Sequence, residues 1–88
     1  MYPFTEIKSD NHYIRTFNSE VDTDELKWHW DEEDRIIEPI EETNWMFQFD
    51  NKLPQKMEGK IFIQKGEWHR LIKGDKDLKL KLYKLWGT

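Results

Sequence analysis

Asn44-Trp45-Met46-Phe47-Gln48-Phe49-Asp50 sets Trp45, Phe47 and Phe49 against Met46, Gln48 and Asp50. Such a period of two marks a half-buried strand, because successive side chains leave opposite faces of the backbone. The heptamer therefore reads as a strand with an aromatic face turned to a core. Working upstream, residues 35–40 form another candidate strand, ended by Pro39 and the acidic turn at 41–43. Residues 26–31 place Trp28 and Trp30 on one face and His29 and Asp31 on the other. Residues 12–17 alternate Tyr13, Arg15 and Phe17 against Ile14 and Thr16, followed by a polar turn at 18–24.

Downstream, Pro54 removes a ladder N–H from residues 51–57 and predicts an edge strand or a turn there. Residues 60–64 set Ile61 and Ile63 against Phe62, Gly66 makes a turn, and residues 68–73 follow. The longest strand is expected at 77–85, where Leu78, Leu80 and Leu82 alternate with lysines. Residues 22–30 and 36–43 have the composition closest to helical, but their Trp, His, Ile and Pro content counts against it. Seven or eight short strands, with turns every ~8–12 residues, indicate an all-β sandwich or small barrel.

The chain has 88 residues, room for one domain, and no linker or repeat divides residues 1–88. Thirteen aromatics, five of them Trp, enlarge what would otherwise be a thin core. A chain this short is also expected to use a homodimer partner to cover a sheet face or edge. The absence of Cys excludes disulfides and thiolate zinc sites, leaving His, Asp and Glu as metal ligands, and fits a cytoplasmic protein. A net charge of -4 argues against nucleic acid as a partner. The lysines of the last strand read as its wet face. No apolar run is long enough to span a membrane and no signal peptide is visible.

Two segments combine histidine with carboxylate: Trp28-His29-Trp30-Asp31-Glu32-Glu33-Asp34-Arg35 and Gly66-Glu67-Trp68-His69-Arg70. On an extended chain His29 and Asp31 share a face, ~7 Å apart. If the strand bearing His69 crosses opposite, two imidazoles and one carboxylate meet as a facial triad with open positions, a set suited to Fe(II) and related divalent ions. The other reading of each histidine is structural, an imidazole hydrogen-bonded beside tryptophan. Arg35 either clamps a substrate carboxylate or pairs with Asp31 or Asp34. Gln48 shares a face with Met46 and Asp50; turned to a cavity instead, it would hydrogen-bond a ligand. Trp28 and Trp30 read as packing or dimer surface. No nucleophile–base pair and no phosphate-cradling glycine loop is present, which leaves metal-assisted chemistry as the supported enzymatic class.

Residues 59–69, Gly-Lys-Ile-Phe-Ile-Gln-Lys-Gly-Glu-Trp-His, resemble the second cupin motif, and residues 28–35 resemble a reduced first one. The stretch from Trp28 to Arg35, together with Gln48-Phe49-Asp50-Asn51-Lys52-Leu53-Pro54, is also similar to small cupin-like proteins of cyanobacterial phages. The likeness covers about residues 26–85. It implies a small cupin-like double-stranded β-helix, or jelly-roll barrel, of about seven to eight short antiparallel strands. It further implies that His29, Asp31 and His69 occupy the metal-ligand positions, with Asp34 nearest to the position of the family's glutamate. Asp31 stands where the family has its second histidine, and Gln64 where proline is common.

Two functions follow as expectations. One is a metal-binding mini-cupin holding Fe, Mn, Zn or Ni, with a small-molecule ligand at the open positions and oxygenase, isomerase or sensing chemistry. The other is a non-catalytic β-module, a phage-encoded accessory or structural protein in the host cytoplasm, that binds a protein partner through its surface or a strand edge.

Overall fold

A computed structural model describes residues 3–86 as eight antiparallel strands in two facing sheets. In chain order they are β1 (Phe4–Lys8), β2 (Tyr13–Phe17), β3 (Asp34–Pro39), β4 (Met46–Phe49), β5 (Gln55–Lys56), β6 (Ile61–Ile63), β7 (His69–Ile72) and β8 (Leu78–Leu85). The larger sheet has the order β1-β2-β8-β3-β6 and the smaller one β5-β4-β7. From β3 onward the chain crosses between the sheets at β3–β4, β5–β6, β6–β7 and β7–β8, with only the β4–β5 pair staying in one sheet, which closes the two into the expected jelly roll.

The alternation in β8 explains its central place. Leu78, Leu80 and Leu82 are buried, while Lys79 is exposed and Lys81 is half-buried. The leucines need cover from both neighbouring strands and from the other sheet, and each contributes ~1.5–3 kcal/mol when fully buried. Across from them, β4 delivers Phe47 and Phe49, and Trp45 is wholly buried just ahead of it. The Trp45 indole N–H donates to the Lys76 carbonyl, so the largest ring in the core also satisfies its one polar group. Lys79 and Lys81 thus lie on the outer face of a two-faced strand, as the pattern predicts, whereas Lys84 has the parity of the leucines and lines a cavity.

Two expectations need correction. Residues 26–31 do not form a strand: only His29 pairs, in an isolated bridge with His69, and a single 3-10 turn at Thr23–Glu25 precedes it. Strand β1 was not anticipated, because Phe4 alone of its residues packs against the core while Ile7 is exposed, leaving no period-two signal. It is an edge strand, pairing with β2 through Glu6 opposite Arg15. The Pro54 segment behaves as expected, since the two-residue β5 that follows lies at a sheet edge.

Candidate metal centre

The site begins with a backbone ladder one residue long. His29 N–H donates to the His69 carbonyl at 3.0 Å and His69 N–H returns the bond at 2.9 Å. That exchange sets the two residues directly opposite on the same face, with their rings 4.3 Å apart between centroids. A second tie holds the strap in place: Gly66 N–H donates to the Asp31 carbonyl at 2.9 Å. Gly66 has φ +79°, a left-handed conformation that a side chain resists, so the turn before β7 uses glycine for a reason.

Asp31 and His69 are buried, whereas the His29 side chain is half exposed. His69 Nε2 lies 3.3 Å from Asp31 Oδ2, and His29 Nε2 lies 4.0 Å from Asp31 Oδ1. One ligand atom from each residue fits within a mutual separation of 4.8 Å. Donor atoms ~2.0–2.2 Å from a common ion sit about 3–3.5 Å from one another. The His69–Asp31 pair already has that spacing, and His29, on the exposed side, needs a small inward shift.

The protons support the same reading. His69 Nδ1 is 2.8 Å from the Glu67 carbonyl and His29 Nδ1 is 3.1 Å from the Lys27 carbonyl. A carbonyl oxygen can only accept, so each Nδ1 carries the hydrogen, and in the neutral ring Nε2 presents a lone pair. Both lone pairs face a carboxylate whose Oδ2 is buried and accepts no hydrogen bond. An unsatisfied buried acceptor is costly, more so when charged. With both rings neutral, three convergent acceptors with no hydrogen between them are the donor set of a divalent cation, and the backbone contacts at Nδ1 are the outer supports that metal-bound histidines use.

Electrostatics keep the ligands in the right forms. Burial would raise the Asp31 carboxyl, but in the metal-free protein a hydrogen bond from His69, when its Nε2 carries a proton in place of an ion, and the Arg35 guanidinium outweigh that and hold it below the ordinary carboxylate value. Burial against the site lowers the His29 pKa and favours its neutral ring. Arg35 Nη1 lies 3.1 Å from Asp31 Oδ1, and its Nε and Nη2 donate to Glu33 Oε1. Phe47 stacks on His69 with centroids 5.5 Å apart and fixes the ring from the core side.

The remaining anticipated residues are placed differently. Asp34 lies outside the group, its Oδ1 accepting from the Lys65 N–H at 2.8 Å in the loop after β6. Gln48 lies on the outer face of the small sheet: its Oε1 accepts from Arg70 Nε and its Nε2 donates to the Lys52 carbonyl. Arg70 in turn lies over the Trp28 ring. Arg35 faces the cavity but is engaged by Asp31 and Glu33, the pairing alternative.

Two participants were missed. Glu33 is buried behind Arg35; the signal was there, since Asp31, Glu33, Arg35 and Ile37 continue one alternating face into β3. Arg15, the other, shares the inward parity of Phe17 on β2 and reaches the cavity beside the site. That cavity has a volume of about 670 Å³.

No family model and no curated protein matches the sequence. Solved structures do match in shape. A crystal structure of a Neisseria meningitidis protein aligns with a TM-score of 0.60 at 15% identity over 97% of this chain and 86% of that one. A cupin-2 domain containing protein from Shewanella frigidimarina aligns with a TM-score of 0.62 at 13% identity over 92% of this chain and 80% of that one. At such identities the likeness shows the fold: the chain is a small cupin-like jelly roll carrying a His-Asp-His group able to hold a metal ion.

Proposed function

We propose that this protein is a metal-binding mini-cupin in which His29, Asp31 and His69 hold a divalent ion, Fe(II), Mn(II), Zn(II) or Ni(II), with a small organic ligand beside it. The observation that carries this reading is the convergence of two imidazoles on the buried Asp31 carboxylate, His69 Nε2 toward the unsatisfied Oδ2 and His29 Nε2 toward Oδ1. When bound, such an ion supplies Lewis acidity or oxygen activation, the chemistry of isomerases and oxygenases. The chain's own residues do the rest. Lys27 and Glu67 carbonyls fix the imidazole tautomers, Arg35 holds Asp31 in its ionised form, Glu33 holds Arg35, and Phe47 closes the core side. The half-exposed edge of His29 leaves an approach for a ligand.

Metal content, measured by mass spectrometry on protein purified without a tag or chelator, tests the reading. The expected result is near-stoichiometric metal in the parent and none in a folded His29→Ala/His69→Ala variant. Protein that stays metal-free after anaerobic loading with Fe(II), Mn(II) or Ni(II) overturns it.

A second reading draws on a different observation. Trp28, Trp30 and Trp68 flank the two histidines in sequence, and all three are exposed. Rings of that size outside the core favour contact with a protein partner or a second copy of this chain. The likeness of residues 28–35 and 48–54 to phage proteins supports an accessory role of that kind.

A further inference from the structure

The cavity beside the histidines is lined by the apolar side chains Phe4, Phe17, Leu26 and Leu71 and by charged groups. Its volume of about 670 Å³ falls within the range of small-molecule sites, ~300–1,000 Å³. Four cationic side chains line it, Arg15, Lys27, Arg35 and Lys84, together with the carboxylates of Glu6, Glu25 and Asp31. Glu33 backs Arg35 as a fourth carboxylate. The walls are therefore close to neutral by themselves. The charge balance rests on the metal reading, since a divalent ion on the histidines leaves positive charge for a ligand to offset.

Arg15 is the group positioned to receive that ligand. Its side chain is largely buried, its Cζ lies 3.8 Å from the Phe4 ring centroid, and its Nε and Nη2 both go to the same oxygen, Glu6 Oε2, at 2.7 and 2.6 Å. The fork is thereby held rigid, and among the described residues no hydrogen bond or ion pair engages Nη1. Arg35, by contrast, has all three nitrogens committed to Asp31 and Glu33. A preorganised guanidinium with one open edge beside an apolar wall suits a planar, singly charged acceptor better than a phosphate dianion.

We propose that this cavity binds a small monocarboxylate with an apolar body, an aryl or branched alkyl acid, whose carboxylate is recognised by Arg15 next to the metal ligands. Glu6 tunes that recognition: it orients the guanidinium and at the same time competes with the ligand for it.

Calorimetric titration of benzoate and phenylacetate, with benzamide as the neutral counterpart, tests this on metal-loaded and chelator-treated protein. Metal content is measured in the same samples, so a failure of the metal reading shows there and not in the titrations. The expected result is that the carboxylates bind, the amide binds at least tenfold more weakly, and Arg15→Met lowers carboxylate affinity tenfold or more with metal content unchanged. Equal binding of amide and acid, equal affinity in Arg15→Met, or no carboxylate binding in either form overturns the assignment. Should Arg15→Met fail to fold, Glu6→Gln decides: removing the competing charge is expected to tighten carboxylate binding several-fold, and an unchanged or weakened affinity counts against Arg15.

Discussion

His29 and His69 face each other through a mutual pair of backbone hydrogen bonds, yet one ring is half exposed and the other is buried against Phe47. The same two donors thus have unequal structural duties, and their substitutions separate stability from metal binding. His69→Ala opens a hole beside Phe47 and is expected to cost ~2–3 kcal/mol, whereas His29→Ala costs under about 1 kcal/mol. Both are expected to abolish the proposed metal binding. Urea titrations of the metal-free variants check the first statement; equal losses would contradict the asymmetry.

Metal is expected to stabilise the fold through Asp31. At an ion concentration ~100 times the dissociation constant, linkage adds about 2.7 kcal/mol, which for a domain of this size raises the Tm by roughly 10–20 °C. Asp31→Asn keeps the shape but removes the charge, so the metal-dependent shift in a thermal melt collapses while the fold remains.

Gly74 lies where no side chain fits. A Cβ there would come 2.2 Å from Asn44 Oδ1 and 2.8 Å from the Trp45 backbone nitrogen. Asn44 Oδ1 also accepts from the Asp75 N–H, so moving it breaks a bond that closes the loop before β8. Gly74→Ala should destabilise by about 1–3 kcal/mol, measured as a lower urea midpoint with an unchanged slope.

Acid should weaken the metal-free protein in two stages. His29 has its pKa lowered by burial, so the unfolded chain binds this proton more readily and stability falls as pH drops below the ordinary histidine value of 6.5. Asp31 is likewise depressed below its ordinary 3.8 by His69 and Arg35 against the effect of burial. Its contribution is present above that value and is lost as pH falls through the folded one. Urea midpoints from pH 7.5 to 3 are expected to decline with falling pH, and His29→Ala should flatten the upper part of the curve only.

Much of this architecture was legible locally. The period-two pattern of residues 44–50 and 77–85 located β4 and β8 and their buried faces, because a half-wet strand writes its two environments into alternate residues. The edge strand β1 was missed and the 26–31 strap misread for the converse reason. The first buries little, and the second is extended by one bridge to His69, a partner that no neighbouring residue specifies.

By itself, the sequence determined the all-β class, the inward faces of the longer strands and the shared parity of His29 with Asp31. Each is a property of a few adjacent residues and of the two-residue repeat of an extended backbone. Tertiary structure decided that His69 stands opposite His29 and Asp31, as the motif resemblance implied but local parity could not, that Asp34 serves a loop amide, and that Arg15 reaches the cavity. Those outcomes depend on sheet order and on hydrogen bonds between residues far apart in the chain, which no local pattern encodes.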